Sequence, residues 1–159
     1  MKKLAMALIL LLLPSICLAA GSWATWEKRD WYPIGIRIVI LEWTADAADG
    51  SVPLYDTADA SALNSFIEGW NLYMILTDPG STAPTADYDI TMPDQYGIDV
   101  TGATLTDRSA TASQQVVPLL NGTDGIYGGR TIDDIGFIVT LTGNSENSAT
   151  GKIILFFGK

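Results

Sequence analysis

Carboxylates are the side chains of this 159-residue chain with the clearest capacity for chemistry, since 18 Asp and Glu stand against 9 Lys and Arg. Four of them surround one turn: Asp87, Asp89, Asp94 and Asp99. Calcium prefers hard oxygen ligands of this kind. The spacing departs from the calcium loop DxDxDG, because Thr and Met occupy residues 91–92, where a ligand and the glycine should stand. Two interpretations stay open: a calcium site, or outward-facing strand residues beside a turn-forming Asp.

Other catalytic groups are scarce, because the chain has no histidine and only one cysteine, Cys17. The absence of histidine excludes Ser-His-Asp triads, Cys-His dyads and His-ligated metal sites. The sequence also has no Gly-rich phosphate loop and no dinucleotide fingerprint. A carboxylate pair, as in glycosidases, is the remaining acid–base option, but close pairs arise without function in so acidic a chain. We therefore expect a non-enzymatic protein without a cofactor, with calcium as the one candidate.

Aromatic residues crowd the segment that follows the N-terminal leader: Trp23, Trp26, Trp31 and Tyr32. Such residues are enriched at the hot spots of protein interfaces, so the segment is a candidate partner-binding arm. A platform on which carbohydrate stacks is a second interpretation. In the third, the segment is a first strand whose tryptophans complete the core of a small β domain.

The first twenty residues have the three-part pattern of a secretory signal peptide. Lys2 and Lys3 precede an apolar run from Leu4 to Leu13, and the segment ends in small residues at Ala19 and Ala20. The apolar run is shorter than the roughly 20 residues of a membrane span. We expect cleavage, no stable membrane span afterwards, and export to the periplasm or the medium, with an uncleaved anchor as the alternative.

The charge of the chain disfavours nucleic acid as a partner. The formal net charge is -9, and loss of Lys2 and Lys3 with the leader would make it -11. A strongly acidic surface repels phosphate backbones. Proteins, including further copies of this chain, are the expected partners.

Short apolar runs between frequent turn residues predict an all-β fold, a single antiparallel, jelly-roll-like β-sandwich over residues 21–159. Tyr88, Ile90 and Met92 alternate with polar residues, as in a half-buried strand. Further strands are predicted at 34–44, 70–77, 135–142 and 153–157. A short helix is predicted near 58–68, with Asp59 or Ser61 as its cap.

The same alternation predicts which side chains of two strands share a face. In the strand 70–77 we expect one face of Trp70, Leu72, Met74 and Leu76. In the strand 135–142 we expect Ile135, Phe137, Val139 and Leu141 to point inward. The strand 34–44 is apolar on both faces and is either central or shifted by a bulge. The polar loop 143–151 suggests a hairpin between 135–142 and the buried C-terminal strand.

Several segments from residue 44 onward resemble a largely uncharacterised family of small proteins encoded by tailed bacteriophages and prophages. The most specific is Pro-Gly-x-Thr-Ala-Pro-Thr-x-x-Tyr-Asp-Ile-Thr at 79–91. The others lie at 44–53, 69–73, 97–100, 107–108 and 143–151, followed by the final apolar strand. The resemblance implies a β-sandwich structural protein of the virion, or associated with it, without enzymatic activity and acting through protein partners or self-assembly as a homo-oligomer.

A weaker resemblance supports an alternative function. The strand Asp87–Ile90 and the turn after it are similar to the calcium-tuned jelly-roll modules attached to secreted bacterial enzymes. This resemblance implies a secreted binding module for carbohydrate or calcium.

Overall fold

Short strands account for most of the regular structure. The structure, a computed structural model, describes residues 20–24, 27–31, 35–121 and 126–159. Its elements are β1 (Ser22–Trp23), β2 (Glu27–Trp31), β3 (Ile36–Thr44), β4 (Tyr55–Asp56), α1 (Ser61–Ile67), β5 (Asn71–Pro79), β6 (Asp89–Thr91), β7 (Gln114–Val116), β8 (Leu119–Asn121), β9 (Ile126–Tyr127), β10 (Arg130–Thr131), β11 (Ile138–Thr142) and β12 (Thr150–Gly158).

Two antiparallel sheets form the body of the fold. The large sheet has β3, β12 and β5 at its centre, with β1 and β2 along β3 and with β7 and β10 along β5. The small sheet has the order β4-β11-β6, and β8 pairs with β9. All of these pairings are antiparallel. The prediction of an all-β, sandwich-like fold is confirmed.

The hydrophobic core lies between the two sheets and is closed at one end by the helix. The large sheet contributes Leu41, Ile75 and Ile153, and the small sheet contributes Ile90 and Val139. The predicted alternation around β6 is confirmed, because the side chains at 88, 90 and 92 are at most 1% exposed. The predicted burial of the C-terminal strand is also confirmed on its inner face, at residues 153, 155 and 157.

The helix α1 confirms the helical segment predicted near 58–68, but its predicted cap is wrong. Leu63 and Ile67 are buried, which fits their four-residue spacing. The N-cap residue is Ala60, and no side chain caps the helix. The Asp side chain that forms a hydrogen bond in this region is Asp56: its carboxylate accepts one from the amide of Ala58 in the turn before the helix. The helix therefore owes its position to the packing of its apolar face.

The face predicted for the strand 70–77 is only partly right, because β5 contains a bulge. The register against β12 shifts at Tyr73, so that Leu72 and Met74 pair with consecutive residues of β12. Beyond the bulge the alternation is reversed, and Ile75 is buried while Met74 and Leu76 are partly exposed. An inserted residue moves every later side chain to the other face of the sheet.

The predicted hairpin between 135–142 and the C-terminal strand is wrong. β11 pairs with β4 and β6, whereas β12 pairs with β3 and β5. The connecting loop crosses from the small sheet to the large one, starting at Gly143 with a φ of 80°. The Asn144 side chain anchors it, donating to the Gly50 carbonyl at 2.6 Å and accepting from the Thr85 amide at 2.9 Å. As a result, the apolar strand β12 is paired along both edges, with β3 on one side and β5 on the other.

Ile135 was predicted to point inward and does not. It is 43% exposed, whereas residues 137, 139 and 141 are buried as predicted. The Asp133 carboxylate accepts hydrogen bonds from the amides of Ile135 and Gly136, and Gly136 has a φ of 80°. This turn places Ile135 before the strand begins, so the alternation does not extend to it.

Among the described residues, no helix has the length and apolar character needed to cross a membrane.

Candidate interaction surface

The side of the large sheet that faces away from the core is apolar, and we call it the outer face. Among the described residues, its rows are lined by Ile36, Ile38, Ile40, Met74, Leu76, Ile154 and Phe156. All seven are partly exposed, and none belongs to the core cluster. The small sheet and α1 both pack on the inner face. Within the described ranges, the outer face thus has no second layer.

Strand register places these side chains in rows. Ile40, Ile154 and Leu76 lie side by side across β3, β12 and β5. The next row holds Ile38, Phe156 and Met74 in the same way. Cross-strand neighbours on one face are about 5 Å apart, so the rows form a continuous apolar surface. Pairing of β3 with β12 is continuous from 36 to 44, so β3 is a central strand without a bulge.

Charged residues border the outer face in opposite-sign pairs. At the end where β3 finishes, Lys152 Nζ lies 2.5 Å from Glu42 Oε1. This hydrogen bond raises the pKa of Lys152, and the nearby carboxylates of Asp78 and Glu27 add to the effect. Along β2, Arg29 Nε donates to Glu27 Oε1 at 2.9 Å, which lowers the pKa of Glu27. The border therefore carries charge of both signs and little net charge.

A groove of about 260 Å³ adjoins the apolar rows at the end where β12 begins. Thr44 and Thr150 line it together with the Glu42–Lys152 pair, and Ala24 and Ser81 lie on either side. Gly80 also lines the groove, where a Cβ would collide with the Thr150 side chain. The groove has room for one large side chain of a partner.

The predicted aromatic arm is only partly within the described residues. Trp23 is half-buried in β1, packs against the core and lies 5.4 Å from Tyr55 between ring centroids. Its indole nitrogen donates to the Pro53 carbonyl at 2.6 Å. This is the placement expected of a strand that completes the core. The backbone of Trp31 belongs to β2, while Trp26 and Tyr32 lie outside the described residues.

Three of the four carboxylates proposed for calcium accept hydrogen bonds from nearby loops. Asp87 stands in a turn with a φ of 61°, and Asp89 accepts a hydrogen bond from the Asp107 amide. Asp94 accepts from two amides of its own turn, and its second oxygen lies 3.1 Å from Arg130 Nη2. Asp99 Oδ1 accepts the amide and the hydroxyl of Thr101.

The structure does not bring these four carboxylates to a common point. In the part of the chain that it describes, no group of three or more His, Cys, Asp or Glu residues could hold a metal ion. Asp94 and Asp99 accept hydrogen bonds within their own turns, and Asp89 accepts one from the segment that contains Asp107. A calcium site at these residues stays a prediction.

Replacing Asp99 by Ala should lower the free energy of unfolding by about 1–3 kcal/mol, because buried donors of Thr101 and the Met92 amide lose their acceptor. Urea denaturation measures the change, once with EDTA and once with calcium chloride. Asp99→Asn is the matched control and should cost less, since its amide oxygen still accepts one bond. If wild type is stabilised by calcium and both variants lose that gain, Asp99 is a calcium ligand instead.

Sequence reasoning missed the outer face, although a signal for it was present. The strand 34–44 and the strand 153–157 are apolar at successive positions, which is typical of strands covered on both faces. That pattern does not say whether the cover comes from the same chain or from a partner.

Searches against protein-family models, curated proteins and solved structures find no match to this chain.

Proposed function

We propose that this chain is a non-enzymatic structural or interaction protein that docks through the outer face of its large sheet. We further propose that it is exported and phage-encoded, as a component of a virion or a protein associated with one. The leader-like N-terminus and the resemblance of residues 79–91 to phage proteins support these two points.

The observation that carries the docking proposal is the apolar character of the outer face. A sheet that faces water normally alternates apolar and polar residues. In β3, Ile36, Ile38 and Ile40 point away from the core although Val39 and Leu41 already fill it. Contiguous apolar surfaces rimmed by polar residues are typical of protein interaction sites.

Two further observations favour docking over catalysis. The sequence lacks histidine, so acid–base chemistry near neutral pH would depend on its carboxylates. Of the four carboxylates singled out from the sequence, Asp94 and Asp99 are engaged as acceptors within turns. These hydrogen bonds stabilise the loops, and a carboxylate held in this way is poorly placed to act as a general acid or base.

Methionine oxidation tests the proposal, because Met74 lies on the outer face while Met92 is 0% exposed in the core. Hydroxyl-radical labelling followed by mass spectrometry would compare the purified, dilute protein with the protein in whole cells that produce it, periplasm included. We expect Met74 to be oxidised in the dilute protein and protected in cells. Met92 should be protected in both samples and serves as the internal reference.

Two results would count against the proposal. If Met74 is oxidised equally in cells and in dilute solution, the outer face is not a docking surface. If Met74 is protected even in protein dilute enough to be monomeric, the chain covers this face with its own residues.

A further inference from the structure

We infer that the occupant of the outer face is the outer face of a second copy of this chain, packed about a twofold axis. The inference rests on the proposed function, since it names the partner for the same surface.

The outer face is large enough for a stable dimer. Its longest strands have nine residues, and five strands, β2, β3, β12, β5 and β7, lie side by side. At about 3.3 Å per residue and 4.8 Å between strands, three nine-residue strands with the shorter β2 and β7 give a footprint on the order of 550 Å². Two such faces would bury roughly 1,100 Å² in total, which is above the roughly 1,000 Å² expected of a specific interface.

The charge distribution favours a copy of the same chain over most other partners. The whole chain has a net charge of -9, so two copies repel each other over most of their surfaces. The border of the outer face has three carboxylates, at residues 27, 42 and 78, and two cations, at 29 and 152. Because these charges nearly cancel, the outer face is the region where two copies approach with least repulsion.

The same charge distribution disfavours a lipid bilayer as the occupant of the outer face. Peripheral membrane proteins bind anionic lipid through basic residues around an apolar face. Here each cation of the border is already paired with a carboxylate, as Lys152 is with Glu42. An apolar face whose bordering cations are already paired matches another sheet better than a charged bilayer.

Sheet-on-sheet packing supplies the geometry of the proposed dimer. Two antiparallel sheets pack with their faces about 10 Å apart and their strands within about 30°. The rows centred on Ile154 and Phe156 would then interdigitate with the same rows of the second copy. A twofold arrangement places like residues opposite each other and is the commonest symmetry of homo-oligomers.

Sedimentation velocity of the protein produced from the full-length chain tests the inference over a concentration series. We expect the mass of two copies at micromolar concentration. Phe156→Asp should raise the dimer dissociation constant by at least about 100-fold, because two carboxylates would be buried in an apolar contact. Ile40→Thr is a milder second variant, which should weaken the dimer while keeping a strand-forming residue. Ser65→Asp adds the same charge on the exposed side of α1 and should leave the dimer unchanged.

The outcomes separate this inference from the function on which it rests. A protein that stays monomeric at 100-fold higher concentration, while Met74 is protected in cells, overturns the second copy and keeps the docking surface. A monomer that floats with phosphatidylcholine–phosphatidylglycerol vesicles overturns it in favour of lipid. Dimers that Phe156→Asp and Ile40→Thr leave intact overturn it too, because the contact then lies elsewhere.

Discussion

Replacing Leu155 by Asp should abolish folding, whereas Phe156→Asp, one residue further along β12, should leave a folded protein. Leu155 is 1% exposed and pairs in register with Val39 on β3 and with Ile75 on β5. A carboxylate at this position would be buried among apolar side chains with no partner. Loss of the leucine contacts alone costs about 2–5 kcal/mol, and the buried charge adds several more. The total is comparable with the stability of a typical domain.

Circular dichroism in the near ultraviolet and urea denaturation measure this prediction. Leu155→Ala is an intermediate control, which should remain folded but lose about 2–5 kcal/mol of unfolding free energy. Phe156→Asp should show a cooperative transition close to that of the wild type at a concentration where both are monomeric. If Asp at 155 and Asp at 156 lower the free energy of unfolding equally, both faces of β12 are buried by the chain itself.

A methyl group at Gly151 should destabilise the protein by about 1–3 kcal/mol, through steric overlap with a buried ring. Gly151 pairs with Trp43 across β12 and β3, and its added Cβ would lie 2.6 Å from Cζ2 of the indole. Trp43 cannot move aside easily, because it is 2% exposed and packs edge-on against Tyr88 at 6.0 Å. Burial of that tyrosine raises its pKa to about 12, consistent with a dry environment around the pair.

Thermal and urea denaturation of Gly151→Ala provide the measurement, and Gly158→Ala on the same strand is the matched control. At Gly158 the nearest atoms belong to the half-buried Tyr73 ring at 3.3 Å, so the neighbour can yield and the cost should be small. In the Trp43→Leu background, Gly151→Ala should cost less than in the wild type, since the two residues are coupled. A cost that is the same in both backgrounds would show that the strain is in the backbone and not against the indole.

Local patterns predicted the elements whose environment is uniform along their length. Tyr88, Ile90 and Met92 alternate regularly, and their burial followed from period two alone. The helix near residues 61–67 was found from the spacing of Leu63 and Ile67. In both segments, the residues that set the pattern of burial are close together in the sequence, so a short window is enough to predict it.

Features that depend on a distant strand were not predicted. The bulge at Tyr73 is defined by the register of β5 against β12, and nothing in residues 70–77 marks the position where the alternation reverses. The loop after Gly143 looked like a hairpin tip, but its Asn144 side chain binds Gly50 and Thr85 from two other loops. The candidate interaction surface was missed for the same reason, since its rows are assembled across three strands.

By itself, the sequence determined the class of this protein: its acidity, its lack of histidine and its β-rich patterning follow from composition and spacing. Only the tertiary structure decided which apolar side chains fill the core and which line the outer face. Ile38 and Val39 are similar in chemistry and adjacent in sequence, yet they point to opposite sides of the large sheet. Hydrophobicity is a property of each residue, whereas the side on which a second layer packs is a property of the whole chain.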